Sequence, residues 1–405
     1  MPASSNKRIF YPAHVVAVKP DSDANYTFGA EDALHGVQSV GITTNINLEP
    51  LFQLGVLEIY ENVEDIPDVE VTLNKVLDGN PLILHKATED ATQPTLVGRS
   101  TCKCTFGAAI YSDTSLSASG TELSTLACSG MFVSSVSYTF SVDGSFTEDV
   151  TMVGNNKFWY NQASQDDIGT GNPQYGETDG KTLPSITWNA QLAPGESPLA
   201  SVGIARGEDF MFEATGIKTL DSNRAINDAD TTVLPPEVYG ISNSGLNEKT
   251  NGADFDAHIQ SITVSFDYGR ESIDELGRRG PYHRNAAFPT EVSCEITAVA
   301  TEGDLFSATE DGVFGTTSAG CGSTGRNVNN RTIRIASCDG TRIYLGRKNK
   351  LSSVNYSGGD TGGGNVTISY TFSTFNDCTV MHSQDPNSSY TWADRAAAGS
   401  GYLVE

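Results

Sequence analysis

Seven cysteines (102, 104, 128, 294, 321, 338 and 378) and six histidines (14, 35, 85, 258, 283 and 382) are the residues of this 405-residue chain best equipped for chemistry. Their spacing argues against most of it. Cys102-Lys103-Cys104 sets two thiols closer than the two-residue gap of a zinc knuckle, and no second pair completes four ligands. On a strand those two thiols share a face, and Cys294 keeps the apolar phase of Val292 and Ile296. The cysteines therefore read as small buried core residues, with intersubunit disulfides as the alternative. No HExxH spacing, GxSxG elbow, GxxxxGK[ST] loop or dinucleotide fingerprint occurs. The glycine-rich run from Gly358 to Gly364 could wrap calcium or phosphate, but it separates two alternating segments, where a hairpin tip accounts for it. Asp228-Ala229-Asp230 offers only two carboxylates, the usual content of a solvated loop. No catalytic residue, cofactor or metal is expected, and the chain does not read as an enzyme.

Charge narrows the partners. Fifty Asp and Glu against 25 Lys and Arg leave a net charge of −25, which argues against gripping nucleic-acid phosphates. Two readings stand: plain solubility, or a surface past which nucleic acid moves without sticking. The start Met-Pro-Ala-Ser-Ser-Asn-Lys-Arg carries no apolar stretch, and no run of about 20 apolar residues occurs anywhere. Neither a signal peptide nor a membrane span is expected.

The elements that would position any surface come from a duplication. Residues 37 to 67 recur without a gap 222 positions later (260 − 38 = 222): Val37-Gln38-Ser39-Val40 returns as Ile259-Gln260-Ser261-Ile262, and Glu49, Leu54, Gly55, Tyr60 and Pro67 return as Glu271, Leu276, Gly277, Tyr282 and Pro289. A second anchor, Ser134-Ser135-Val136-Ser137-Tyr138, returns as Ser352-Ser353-Val354-Asn355-Tyr356, offset by 218 (356 − 138 = 218). Two copies at so long a period mark a duplicated domain and not a solenoid. The copies alternate apolar and polar residues with period two: Val40, Ile42, Ile46 and Leu48 in the first, Ile262, Val264, Phe266 and Tyr268 in the second. Similar alternation runs through Val69, Val71 and Leu73, through Val136, Tyr138, Phe140 and Val142, and through Val366, Ile368, Tyr370 and Phe372. Asp143-Gly144 and the Gly358 run are hairpin turns between such strands.

Helix is scarce. Asn80 to Thr88 is the best candidate in copy one, and Asp304 to Glu310 stands at the corresponding place in copy two. The expected fold is mainly β, two tandem β-sandwich or half-barrel domains with one short helix each. The first domain takes residues 1–165 and the second 231–405. Between them, 166–230 is a Gly-, Pro-, Asp- and Asn-rich linker whose run Asp209 to Ala214 reads as a strand folded onto copy one.

The stretches His35 to Asn45 and Glu58 to Gly79, with Gly277 to Tyr282 and Lys350 to Val354 in copy two, resemble tail tube proteins of tailed bacteriophages. The resemblance covers most of the chain apart from the linker. It implies a virion protein, assembled in the host cytoplasm, whose inner strands join those of neighbours around a lumen and whose long loop reaches the next ring. A duplicated subunit would close as a trimer with pseudo-six-fold symmetry. Its partners would be further copies of itself, other tail proteins such as tape measure, baseplate and terminator, in some tails a sheath, and double-stranded DNA as conducted cargo. A baseplate ring or injection-system tube component, and a duplicated β-sandwich binding or adhesion module, are the alternatives.

Two surfaces would then matter. The polar positions Asn45, Asn47, Glu49, Glu70, Thr72 and Asp267 are lumen-lining candidates, or an ordinary solvated sheet face. The stretch from about 50 to 67 is apolar where a surface loop should be polar, through Leu51, Phe52, Leu54, Val56, Leu57, Ile59 and Tyr60; Leu276 and Tyr282 answer it in copy two. It reads as an inter-ring loop or as a hairpin buried in its own domain. Copy two carries Arg278, Arg279, His283 and Arg284 there, so the halves are expected to make unequal contacts.

Overall fold

The computed structural model describes residues 11, 14–21, 26–46, 48–64, 66–111, 123–161, 185–186, 204–207, 210–213, 259–277, 280–299, 333–337, 339–346, 348–358 and 365–382. The first copy contains β1 (His14–Pro20), β2 (Thr27–Phe28), β3 (Val37–Asn45), β4 (Leu48–Phe52), β5 (Ile59–Glu64), β6 (Asp68–Val76), α1 (Ile83–Ala87), α2 (Leu96–Ser100), β7 (Cys104–Ile110), β8 (Ser124–Ser141), β9 (Thr147–Gly154) and β10 (Asn156–Asn161). The connecting region supplies β11 (Ser185–Ile186) and β12 (Phe210–Glu213). The second copy adds β13 (Ile259–Asp267), β14 (Glu271–Ile273), β15 (His283–Asn285), β16 (Glu291–Val299), β17 (Arg334–Ser337), β18 (Thr341–Tyr344), β19 (Lys350–Ser357), β20 (Thr367–Phe375) and β21 (Thr379–His382). The fold is mainly β with antiparallel sheets, as the alternating residues require.

One large sheet runs through both copies in the order β3-β6-β9-β8-β13-β16-β20-β19. Every neighbouring pair along it is antiparallel. The first four strands and the last four repeat one arrangement, down to its irregularities. A β-bulge between Val37 and Ser39 recurs between Ile259 and Ser261, and a bulge between Val133 and Ser135 recurs between Leu351 and Ser353. Bulges re-aim the side chains that follow them, so their retention preserves which residues face the core.

A second layer covers one face of this sheet. In copy one it comprises β1, β7, β10 and the first half of β8, whose second half belongs to the large sheet. Gly130, in a left-handed conformation (φ 64°), lies at the middle of that 18-residue strand, next to the bulge where it changes sheets. In copy two the second layer is β12-β17-β18-β21. The connecting region thus splits its contacts: β11 pairs with β2 and residues 204–207 hydrogen-bond to Leu77 and Phe146 of copy one, whereas β12 pairs with β17 of copy two, not with copy one as its sequence neighbourhood suggests.

One continuous hydrophobic cluster draws on both copies, including Val71, Leu84, Phe106 and Tyr138 from the first and Val264, Tyr268, Ile343, Tyr370 and Val380 from the second; two smaller clusters lie within copy one and β11, around Phe28 and Tyr26. α1 is wedged into the large cluster. The expected helix over 80–88 is realised over Ile83–Ala87, and its first amide groups are capped from another strand: Ile83 and Leu84 N–H donate to the Glu148 carboxylate of β9 at 2.7 and 3.1 Å, and Tyr138 Oη–H donates to it at 3.0 Å. Burial pushes the Glu148 pKa up, against the pull of the two amides, Lys75 and Tyr138. From the same helix His85 Nε2 donates to the Val380 carbonyl of β21 at 3.1 Å, and Tyr268 Oη donates to Leu96 O of α2 at 3.1 Å. Both helices therefore tie copy one to copy two. The copy-two helix expected over 304–310 lies outside the described residues.

Three sequence expectations need correction. Ile46, Leu48 and Val142 are exposed, not core: Ile46 and Val142 stand just beyond the ends of β3 and β8, and Leu48 opens β4, whose hairpin with β5 lies off the large sheet. A second helix, α2, follows the first at Thr95, whose hydroxyl accepts from Gly98 N–H at 3.2 Å. Cys102 lies just after α2 and not on a strand; it, Cys104, Cys128, Cys294 and Cys378 are all buried free thiols, and Cys321 and Cys338 lie outside the described residues.

Candidate functional site

The uncovered face of the large sheet is mostly polar, with Val153 opposite Glu70 and Phe375 opposite Glu291 among its apolar members. One cross-strand row reads Asn74, Asp149, Ser137, Ser265, Ser293, Ser373, stepping from β6 to β20 across both copies. Asn74 Nδ2 donates to Asp149 Oδ1 at 2.7 Å within it. The next rows bring Glu70, Thr72, Asp267, Glu291 and Glu295 to the same face, so between β6 and β20 its charged side chains are all acidic. A shallow groove of about 440 Å³ runs over the junction of the copies, floored by Ser137, Asp149, Ser265, Asp267, Glu291 and Ser293. Of the sequence candidates for a lining, the structure gathers Glu70, Thr72 and Asp267 here and places Asn45 at the rim, opposite Asp68. Glu49 stands apart on β4, and Asn47 lies outside the described residues.

The junction between copies is a strand pair. β13 adds to β8 with Val264 opposite Tyr138, Ser265 opposite Ser137 and Phe266 opposite Val136. Val264 and Tyr138 are both fully buried. β13 is the copy-two counterpart of β3 and β19 that of β8, so the two strands left at the ends of the sheet, β3 and β19, are counterparts of the two strands that pair at its centre. The end strands show it in their exposure: Tyr356, the counterpart of Tyr138, is 45% exposed, and Ile42 is half-buried.

Two hairpins rise from the sheet. β4 and β5 pair with Leu48 opposite Glu64 and Glu49 opposite Val63; β14 and β15 pair with Glu271 opposite Asn285, the same register in the second copy. Their tips match too, since Gly55 and Gly277 adopt φ of 90° and 89°, a left-handed turn that favours glycine. Leu54 and Leu276 are fully exposed beside those glycines, as is Leu57, and Leu51, Phe52, Val56, Ile59, Tyr60 and Tyr282 are exposed as well. The apolar segment is thus a hairpin that its own chain leaves uncovered, not one buried in its own domain.

The bases of the hairpins differ. In copy two, Arg270 donates from Nε to Val133 O at 2.7 Å and from Nη1 to Ser100 O at 2.5 Å, and lies over the rings of Phe132 (5.1 Å) and Tyr268 (4.7 Å). Burial pulls its pKa down to about 10, which leaves it cationic at neutral pH. Arg284 pairs with Asp68 at 2.6 Å and donates to Asn155 Oδ1 at 2.9 Å, while His283 meets Phe132 edge to face at 5.2 Å. This set clamps the second hairpin onto copy one. Sequence reading missed Arg270 as a seam residue; the signal was its alignment with Leu48 in the ungapped repeat, a cation where the other copy has an aliphatic. Arg278 and Arg279 lie outside the described residues, as do Asp228, Asp230 and the run 359–364. Among the described residues no three His, Cys, Asp or Glu side chains converge as a metal site, and no helix is long and apolar enough to cross a membrane.

No protein-family model and no curated protein matches the chain. Several solved structures are similar to part of it, three of them as follows. The sheath-tube complex of an extracellular contractile injection system (PVC) in its extended state matches at 13% identity and TM-score 0.27, over 38% of this chain and 93% of that one. The cap that terminates the tube of the anti-feeding prophage matches at 12% and 0.28, over 40% and 99%. An Hcp protein matches at 11% and 0.24, over 37% and 93%.

Proposed function

We propose that this chain is a structural tube subunit of a phage-type tail, with two tube domains, about 1–165 and 231–405, joined by the segment 166–230. Three chains close head to tail into a ring of six domains, rings stack, and the acidic sheet face lines a conduit for double-stranded DNA. The observation that carries this is the order of the large sheet. Its central seam joins β8 to β13, and its two end strands are the counterparts of that pair in the opposite sense, so the outer edge of one chain is built to receive the outer edge of the next. Such a heterologous contact closes a ring when the rotation per step divides a full turn. Closure also removes the strand edges that would otherwise template aggregation.

Dimensions and charge support the reading. Three chains of eight strands give 24 (3 × 8 = 24), and at a spacing of ~4.8 Å the barrel wall measures roughly 115 Å around and about 37 Å across before strand tilt widens it. Duplex DNA fits inside such a wall. Between β6 and β20 the lining is mainly Ser, Thr, Asn, Asp and Glu, and a lysine, Lys350, enters the row on the end strand β19 opposite Ser373; the acidic excess leaves little phosphate neutralisation, so the polymer slides. The exposed hairpin tips, with Leu54, Leu57 and Leu276, are the ring-to-ring contact. Tape measure, terminator and baseplate proteins would meet the tube at its bore and ends, in the virion. Negative-stain microscopy with rotational averaging of the concentrated protein tests this. Three-chain rings stacked in fibres are expected; six full chains per ring, or monomers at every concentration, would overturn it.

A further inference from the structure

The seam inside the chain carries more information than the existence of a second seam. We infer that the contact between chains, which rests on the ring reading above, repeats the internal register residue for residue, with Ile42 of one copy opposite Tyr356 of the next and Thr43 opposite Asn355, and that an ion pair between Glu61 and Lys350 replaces the internal contact of His283 with Phe132.

The register follows from the two offsets. Moving β13 back by 222 and β8 forward by 218 carries Val264–Tyr138 to Ile42–Tyr356 (264 − 222 = 42; 138 + 218 = 356) and Ser265–Ser137 to Thr43–Asn355. The offsets hold through the strands because both bulges are retained at the same places. Facing agrees. Ile42 packs on the core side of β3 and Tyr356 stands opposite Ile368, a core residue of β20, so both side chains lie on the covered side. A one-residue slip would set them on opposite faces and turn Thr43 or Asn355 toward the core. The seated pair gives Tyr356 the same burial its counterpart Tyr138 already has.

The hairpin base supplies the charge. The same offsets carry His283 to Glu61 and Phe132 to Lys350 (283 − 222 = 61; 132 + 218 = 350), both exposed. They also carry Arg270 to Leu48 and Arg284 to Asn62. Where the internal seam holds arginine over aromatic rings, the seam between chains holds an aliphatic and a carboxylate against a lysine. The occupant is therefore a second copy of this chain, presented through its other end strand, and the two kinds of seam are chemically distinct.

Disulfide trapping tests the register. Assembled Thr43→Cys/Asn355→Cys protein is expected to give covalent trimers on a non-reducing gel, while the slipped pair Thr43→Cys/Ser353→Cys and either single variant do not. Rings that form but cross-link through the slipped pair, or through neither, overturn the register and leave the ring reading standing; a wild-type protein that never forms rings overturns the ring reading first. Charge exchange gives a second readout that needs no cysteine. Glu61→Lys should raise the concentration at which rings form by about tenfold, and adding Lys350→Glu should recover most of that loss. No recovery in the double variant would refute the ion pair.

Discussion

Replacing Leu54 and Leu57 by aspartate separates folding from assembly. Both side chains are fully exposed in the single chain, at 101% and 100%, so neither loses a contact within its own domain. Surface changes of that kind alter folding stability by no more than about 0.5 kcal/mol. Burying a leucine in the ring-to-ring contact contributes about 1.5–3 kcal/mol, and an aspartate placed there would in addition have to be stripped of water. Two leucines per chain therefore amount to about 3–6 kcal/mol, a rise of roughly 10²- to 10⁴-fold in the concentration needed for stacking. Circular dichroism melting reads the fold, and sedimentation velocity with negative-stain imaging reads tube length. The expected result is an unchanged melt with rings that no longer stack. Tubes of normal length at the wild-type concentration would refute the assignment of the tips, and a clearly lowered melting temperature would show that the leucines are packed within the chain after all.

Other perturbations probe the frame. Glu148→Ala strands two amides of α1 and the Tyr138 hydroxyl in the core and should cost about 3–6 kcal/mol in denaturant unfolding; a loss under about 1 kcal/mol would show that the carboxylate does not hold the helix. Burial first, then the charges of Arg99 and His382, holds the His85 pKa well below 6.5 in the folded chain, so the unfolded chain takes up a proton that the folded one refuses, and stability should fall as pH drops below about 6.5. Glu148, with its pKa raised by burial, acts in the opposite sense as it protonates, so the comparison is with His85→Gln: that variant should flatten the loss of melting temperature between pH 7.5 and 5, roughly one unit either side of the histidine value, and an unchanged slope would count against the buried imidazole as its source. Assembled tubes should retain no duplex DNA at low or moderate ionic strength; tight binding that weakens steeply with salt would mean a cationic bore.

Much of the fold was legible because a period of two and a duplication are both written in residue types. Ile262, Val264, Phe266 and Tyr268 are buried as their alternation requires, and β3 and β13 begin and end at matching positions. The alternation failed where the chain left the large sheet without a change in residue type, past the strand ends at Ile46 and Val142 and in the hairpin strand that Leu48 opens, since hydrophobicity records what a face prefers and not where the chain leaves the sheet. The exposed hairpin was legible as an apolar excess, but whether its own domain covered it was not. The seam was hidden altogether: Arg270, Arg284 and Asp68 lie far apart in the chain, and no local pattern tells which strand of one copy neighbours which strand of the other. β12 misled for the same reason, since nearness in sequence to copy one did not decide its partner.

If the chain closes into the proposed ring, the seam within it also changes what that ring costs to build. Merging separate bodies forfeits translational and rotational freedom, about 4–15 kcal/mol for each association. Six single-domain subunits would undergo five such losses in closing a ring, whereas three chains of this kind undergo two, because β8 and β13 meet already tethered at the high effective concentration their linker imposes. Exposed sheet edges before assembly fall in the same way, from twelve to six. In the proposed ring the internal seam is consequently released from having to form reversibly between strangers, and it is there that the arginine clamp of Arg270 and Arg284 stands, while the seams between chains would keep the plainer surface of Leu48, Glu61 and Asn62.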